Sequence, residues 1–117
     1  MFILRDEHLA AFRQSGIDRF NRAAVGYLRR RHPDVAAGLS DAGLLTRCRA
    51  WNPEARQRGY VTDRHGVRYY SARLFLELAG RPDPGPDAAG DPEAASAAFE
   101  ARAKAIWQAV RPAGGGR

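Results

Sequence analysis

The chain has little cysteine, little lysine and no long apolar run. Its single cysteine, Cys48, excludes an internal disulfide framework and any zinc site built from several thiolates. No apolar stretch approaches the roughly 20 residues that span a bilayer. The opening Met1-Phe-Ile-Leu-Arg-Asp-Glu puts acids where a signal peptide would carry its apolar core, so a cytoplasmic location is expected. The three histidines, His8, His32 and His65, include no pair four residues apart, the spacing of a helical metal site. Gly-x-Ser-x-Gly, a phosphate loop and Glu-x-x-His are all missing. These absences leave no catalytic signature, and neither an enzyme nor a bound cofactor or metal is expected.

What is present is arginine. The 117 residues, room for one domain, carry a net charge of +6 and a pI near 10.4. Eighteen of the 19 basic residues are Arg, with Lys104 the exception. Ala, Arg, Gly and Pro make up half the chain, and their GC-rich codons account for much of this basicity without any polyanion partner. The excess is also localised. Residues 1–79 carry all of it, because residues 80–117 hold five basic and five acidic side chains.

The hydrophobic pattern is helical throughout. Leu9, Phe12, Ile17, Phe20, Ala24, Tyr27 and Leu28 recur at helical spacing and predict a helix from about Asp6 to Arg31. Phe2-Ile3-Leu4 reads as a short extended lead-in. His32-Pro33 stops the helix, with the imidazole expected to cap, and Pro33 opens a short helix to about Gly38. Ser40-Asp41 caps a third helix with Leu44, Leu45, Cys48 and Trp51 inward; at Pro53 it either kinks or restarts from Asn52. Thr62-Asp63 caps a fourth, with Val67, Tyr70, Leu74, Phe75 and Leu78 as its stripe and Gly80 as its C-terminal stop. His8 and His65, in first turns, are expected to face solvent, and Cys48 to be a small core residue.

Residues 81–92 are rich in Pro, Gly and Asp and read as a linker. Asp91-Pro92 then starts a last helix, 91–111, with Ala95, Ala98, Phe99, Ile106 and Val110 on one face and Trp107 beside it. Residues 112–117 read as a disordered tail. The expected fold is all-α: a bundle of about four helices over residues 1–80, plus a linker-tethered C-terminal helix.

Two basic clusters are the candidate contact surface. Arg29, Arg30 and Arg31 lie at the end of the first helix, and Arg47, Arg49, Arg56 and Arg58 along the third, with Trp51 and Tyr60 among or near them. Trp, Tyr and Arg are the residues enriched at protein–protein hot spots. The pattern lacks the short turn and recognition helix of a helix-turn-helix reader, so a protein partner is favoured over nucleic acid. Trp107 joins the set if its helix docks on a partner as an amphipathic ligand, the alternative being packing on its own domain.

Part of the chain carries a wider pattern: Tyr27-Leu28-Arg29-Arg30-Arg31-His32-Pro33, Ala37-x-Leu39-x-Asp41-x-x-Leu44, Arg49, Ala55-Arg56-x-x-Gly59, and Asp63-Arg64-x-x-x-Arg68-Tyr69. Over residues 5–80 this resembles a family of small helical bacterial proteins encoded beside type VI secretion PAAR, Rhs and toxin effector genes. The chain departs from that pattern at Gly66, where an apolar residue is usual, and at Pro53. The resemblance implies an accessory role, as an adaptor or co-chaperone that holds an effector or its loading chaperone before export. It brings no catalytic residues. Two rival readings are an immunity protein that inhibits a cognate toxin, against which the basic charge weighs, and a basic nucleic-acid-binding regulator.

Overall fold

Three of the helices begin where a side chain satisfies one of the first free backbone N–H groups. Ser40 Oγ accepts from Gly43 N at 3.0 Å, Thr62 Oγ1 from His65 N at 3.2 Å, and Asp91 Oδ1 from Ala94 N at 2.8 Å. The computed structural model describes the backbone of residues 6–85 and 91–110, with side chains from Gly16 onward in those ranges. It contains five helices: α1 (Asp6–Arg31), α2 (Pro33–Ala36), α3 (Asp41–Gln57), α4 (Asp63–Ala79) and α5 (Pro92–Val110). Among the described residues there is no strand, and the fold is an all-α bundle. The extended lead-in at residues 2–4, the side chains of His8, Leu9 and Phe12, residues 86–90 of the linker and the tail at 112–117 lie outside the described residues.

Pro53 does not split α3, which runs unbroken from Asp41 to Gln57. The proline is exposed, as is Arg49, whose carbonyl loses its helical donor. The lost bond therefore lies on the wet side of the helix and water can satisfy it. At the far end of α4, Gly80 takes φ 67° and returns its N–H to Glu77 O, the left-handed cap that glycine adopts without a Cβ clash.

The central element is α4. Gly66, Tyr69, Tyr70, Ser71, Ala72, Leu74, Phe75 and Leu76 are all buried, so it is enclosed on several sides and not along one stripe. Leu78, expected on that stripe, is 44% exposed. Tyr70 faces α1 and α3, with ring centroids 5.6 Å from Phe20 and 6.0 Å from Trp51. Tyr69 and Phe75 face α5: Tyr69 stacks on Phe99 at 5.5 Å, and Phe75 meets Trp107 at 5.4 Å. Where α1 crosses α4 the backbones come close, and the Phe20 ring lies over Gly66, with Cζ only 2.8 Å from where a Cβ would be.

The terminal helix is thus packed on its own domain. Ala95, Phe99 and Ala103 belong to the same buried cluster as Leu28, Leu44 and Leu74. Ala98 and Val110, expected on its buried face, are exposed instead, and Ser96 takes an inward place. The start of the linker is pinned as well. Asp83 pairs with Arg58 and lies 3.5 Å from Arg73, while its carboxylate accepts from the Tyr69 hydroxyl at 3.2 Å and from Gly85 N at 2.8 Å.

Candidate functional site

Eighteen arginines in a small helical domain invite the question of which ones the fold already uses. Arg29 donates to Asp41 at 2.5 Å and to the carbonyls of Leu39 and Ala36, clamping the turn between α2 and α3. Arg47 ties α3 to α4 through Glu77 at 2.7 Å. Arg64 and Arg68 converge on Glu93 at the start of α5, and Arg73 reaches Glu54 at 2.6 Å. Desolvation, the largest single influence on the Glu93 carboxyl, raises its pKa, but the hydrogen bonds from Arg64, His65 and Arg68 together hold it below its ordinary value. Arg58 is the most enclosed of the set: its side chain is 13% exposed, paired with Asp83, with its guanidinium 4.9 Å from the Tyr69 centroid and 5.0 Å from that of Phe99.

The candidate contact residues separate accordingly. Trp51 and Tyr60 are 5% and 4% exposed, so they are core side chains and offer no surface to a partner. Trp51 takes the inward place that its spacing with Leu44 and Cys48 predicted, and the contact role expected of it and of Tyr60 is corrected. Arg29, Arg47 and Arg58 are bound into intramolecular ion pairs. Trp107, half-buried against Phe75, holds α5 to α4 and so is not a free docking anchor. Arg30, Arg31 and Arg56 remain exposed.

Two histidine readings also change. His32 occupies the cap position of α2 but makes no cap; its Nε2 meets Ser71 Oγ at 3.0 Å, and its ring packs edge-on to Phe75. Burial first, then the charges of Arg31 and Lys104, lower its pKa from 6.5. Glu100, which shares Ser71 and the same groove, is half-buried and its carboxyl is pushed above 4.5 mainly by burial. His65 is not solvent-facing: its side chain is 13% exposed and meets Glu93 at 3.1 Å. Cys48 is fully buried, and burial raises its thiol to about 12, which keeps it an unreactive core group.

Three of the exposed arginines lie along the seam between α1 and α3. Arg49 and Arg56 lie two turns apart on one face of α3, and Arg22 borders the same seam from α1. None of the three has an ion pair among the described residues. Beside Arg49 and Arg56 run two adjoining hollows of about 210 and 170 Å³ that share Ile17, Asn52 and Arg56, and Arg22 borders a further hollow with Leu45 and Asp41. Ile17 and Leu45 are partly exposed along this seam, and Val61 is 63% exposed beside it. Arg22 was not singled out by the sequence because its partner surface comes from a different helix; the seven-residue interval from Arg49 to Arg56 was the one available signal.

A chain of polar side chains runs inward from this surface. Arg56 Nε donates to Asn52 Oδ1 at 3.2 Å, Asn52 Nδ2 to Tyr70 Oη at 2.9 Å, and Tyr70 Oη to Asn21 Oδ1 at 2.5 Å. Burial raises the Tyr70 pKa, so its hydroxyl stays protonated and able to donate. Asn21 is fully buried, and its Nδ2 has no acceptor among the described residues. This connected pair, a cationic rim and a buried amide donor, suits the binding of an anionic or carbonyl-bearing group. Among the described residues no cluster of three His, Cys, Asp or Glu side chains is placed to hold a metal ion, and no helix is long and apolar enough to cross a membrane. No protein-family model matches the chain, and no curated protein or solved structure matches it either.

Proposed function

We propose that this protein is a small helical adaptor that binds a protein partner along the α1–α3 seam, the partner being a type VI secretion effector or its loading chaperone. The observation that carries the binding face is the pair Arg49 and Arg56 around partly exposed Ile17, with Arg22 beside Leu45 and Asp41 farther along the seam, none of the three arginines having an ion pair among the described residues. A cationic rim over an apolar floor fits an acidic amphipathic segment. The effector side of the proposal draws on the resemblance of residues 5–80 to proteins encoded beside such genes. A nucleic-acid role draws less support. Trp51, Tyr60, Tyr69 and Tyr70, the rings nearest the basic residues of α3 and α4 in sequence, are in the core, and six arginines are tied up in ion pairs.

Co-expression with the products of the flanking genes tests this reading. A complex with an effector or chaperone that survives purification at micromolar concentration is expected, and Arg22→Glu with Arg49→Glu should weaken it at least tenfold. Absence of any complex at that concentration overturns the proposal. So does tight DNA binding that falls steeply with salt, the mark of phosphate neutralisation.

A further inference from the structure

We propose that the hollow between α1 and α3 is a carboxylate-binding site for a partner polypeptide, with Arg49, Arg56 and the buried Asn21 amide as its donors. The hydrogen-bond polarity requires an acceptor there. Arg56 can only donate, so Asn52 must turn its oxygen outward and its Nδ2 inward to Tyr70. The Tyr70 hydroxyl then gives its one proton to Asn21 Oδ1, and the Asn21 Nδ2 hydrogens are left over. Reversing the Asn21 amide would aim two NH₂ groups at one phenol oxygen and strand the phenol proton, so the orientation is fixed by the network. Asn21 is fully buried, where a donor without an acceptor is costly, and it lines the same hollow as Arg49 and Arg56.

A carboxylate oxygen meets this demand and the two unpaired guanidinium groups at once. Pro53 adds a further feature. With no N–H of its own it leaves the Arg49 carbonyl without its helical donor, beside the same hollow. An acceptor beside two cations suits a peptide, which brings an N–H as well as a carboxylate, better than a bare inorganic anion. The inference rests on the partner reading above and specifies what the partner must present.

The test is an NMR titration of the full chain that follows the Asn21 side-chain NH₂ pair, assigned by its loss in Asn21→Leu. The probes are acetyl-trialanine with a free carboxylate, its C-terminal amide, amidated acetyl-Ala-Glu-Ala, and sodium chloride. A saturable shift with one or both carboxylate peptides, and none with the amide or the salt, is expected; which peptide binds tells a chain terminus from an acidic side chain. Arg49→Gln and Arg56→Gln, both at exposed positions, should each weaken that binding about tenfold, and Arg49→Gln, which breaks no side-chain hydrogen bond among the described residues, should leave the melting temperature unchanged. Asn21 resonances that do not move at millimolar peptide, or that move equally with the amide or chloride, overturn the site and leave a hollow that holds water alone. The two proposals fail separately. Peptide binding without any effector or chaperone complex overturns the partner, whereas a complex held at full strength by Arg49→Gln and Arg56→Gln overturns the site.

Discussion

Arg58 and Asp83 form the ion pair with the least access to water among the described residues, their side chains 13% and 19% exposed. In such surroundings the desolvation cost of each charge is offset only by its partner, so removing one leaves the other stranded. Asp83→Ala is expected to cost about 3 kcal/mol, read as a lower urea midpoint at unchanged slope. Arg64→Ala, an exposed member of the Glu93 cluster with its side chain 69% exposed, should cost well under 1 kcal/mol. The pH profile is set by another pair of residues. The pKa of His32 is lowered from 6.5, so unfolding binds a proton, and the stability His32 contributes above pH 6.5 is lost as the pH falls through its folded value. Glu100 has the opposite sign. Its carboxyl is raised above 4.5, so acidification relieves the buried charge. Between pH 6.5 and 4.5, unfolding curves should show a shallower acid loss for His32→Gln than for the wild type and a steeper one for Glu100→Gln. Arg31 and Lys104 face the same groove and act on both groups.

The crossing of α1 over α4 reverses a rule that holds for isolated helices. Alanine is favoured over glycine in a helix interior by about 1 kcal/mol. At position 66 the methyl group would meet the Phe20 ring at 2.8 Å, so the ring or the backbone must shift. Gly66→Ala is therefore expected to destabilise by about 1–2 kcal/mol in thermal unfolding, and adding Phe20→Leu should recover part of that loss. The ends of these helices were legible, because Ser40, Thr62, Asp91 and Gly80 act on backbone groups within three or four residues of themselves. The faces were less so. On α4 the pattern marked Tyr70, Leu74 and Phe75 correctly but passed over Tyr69, Ala72 and Leu76, since a helix covered from several sides has no single stripe.

At the scale of the molecule, α5 completes the core. Phe99 covers Tyr69 and the Arg58 guanidinium, and Trp107 covers Phe75. A chain ending at Gly80 would expose these surfaces and remove Asp83 from Arg58, so it is expected to lose cooperative thermal unfolding and to bind a hydrophobic dye. A sharp, fully reversible melt for residues 1–80 would show instead that α5 is an appendage. The candidate surface was legible only in outline. Arg56 and the Arg49 interval were visible in the sequence, but Arg22, Asn21 and Tyr70 reach the seam from other helices, and no local pattern joins them.

The sequence alone determined that this protein is helical, where its helices start and stop, and that its positive charge lies in residues 1–79, because propensity, capping and net charge act over a few residues or by simple count. Tertiary structure decided which arginines remain available. An ion pair such as Arg47–Glu77, and a stacked cation such as Arg58 over Phe99, join residues about 30 to 40 positions apart, and only the packing of α4 against α3 and α5 brings them within reach.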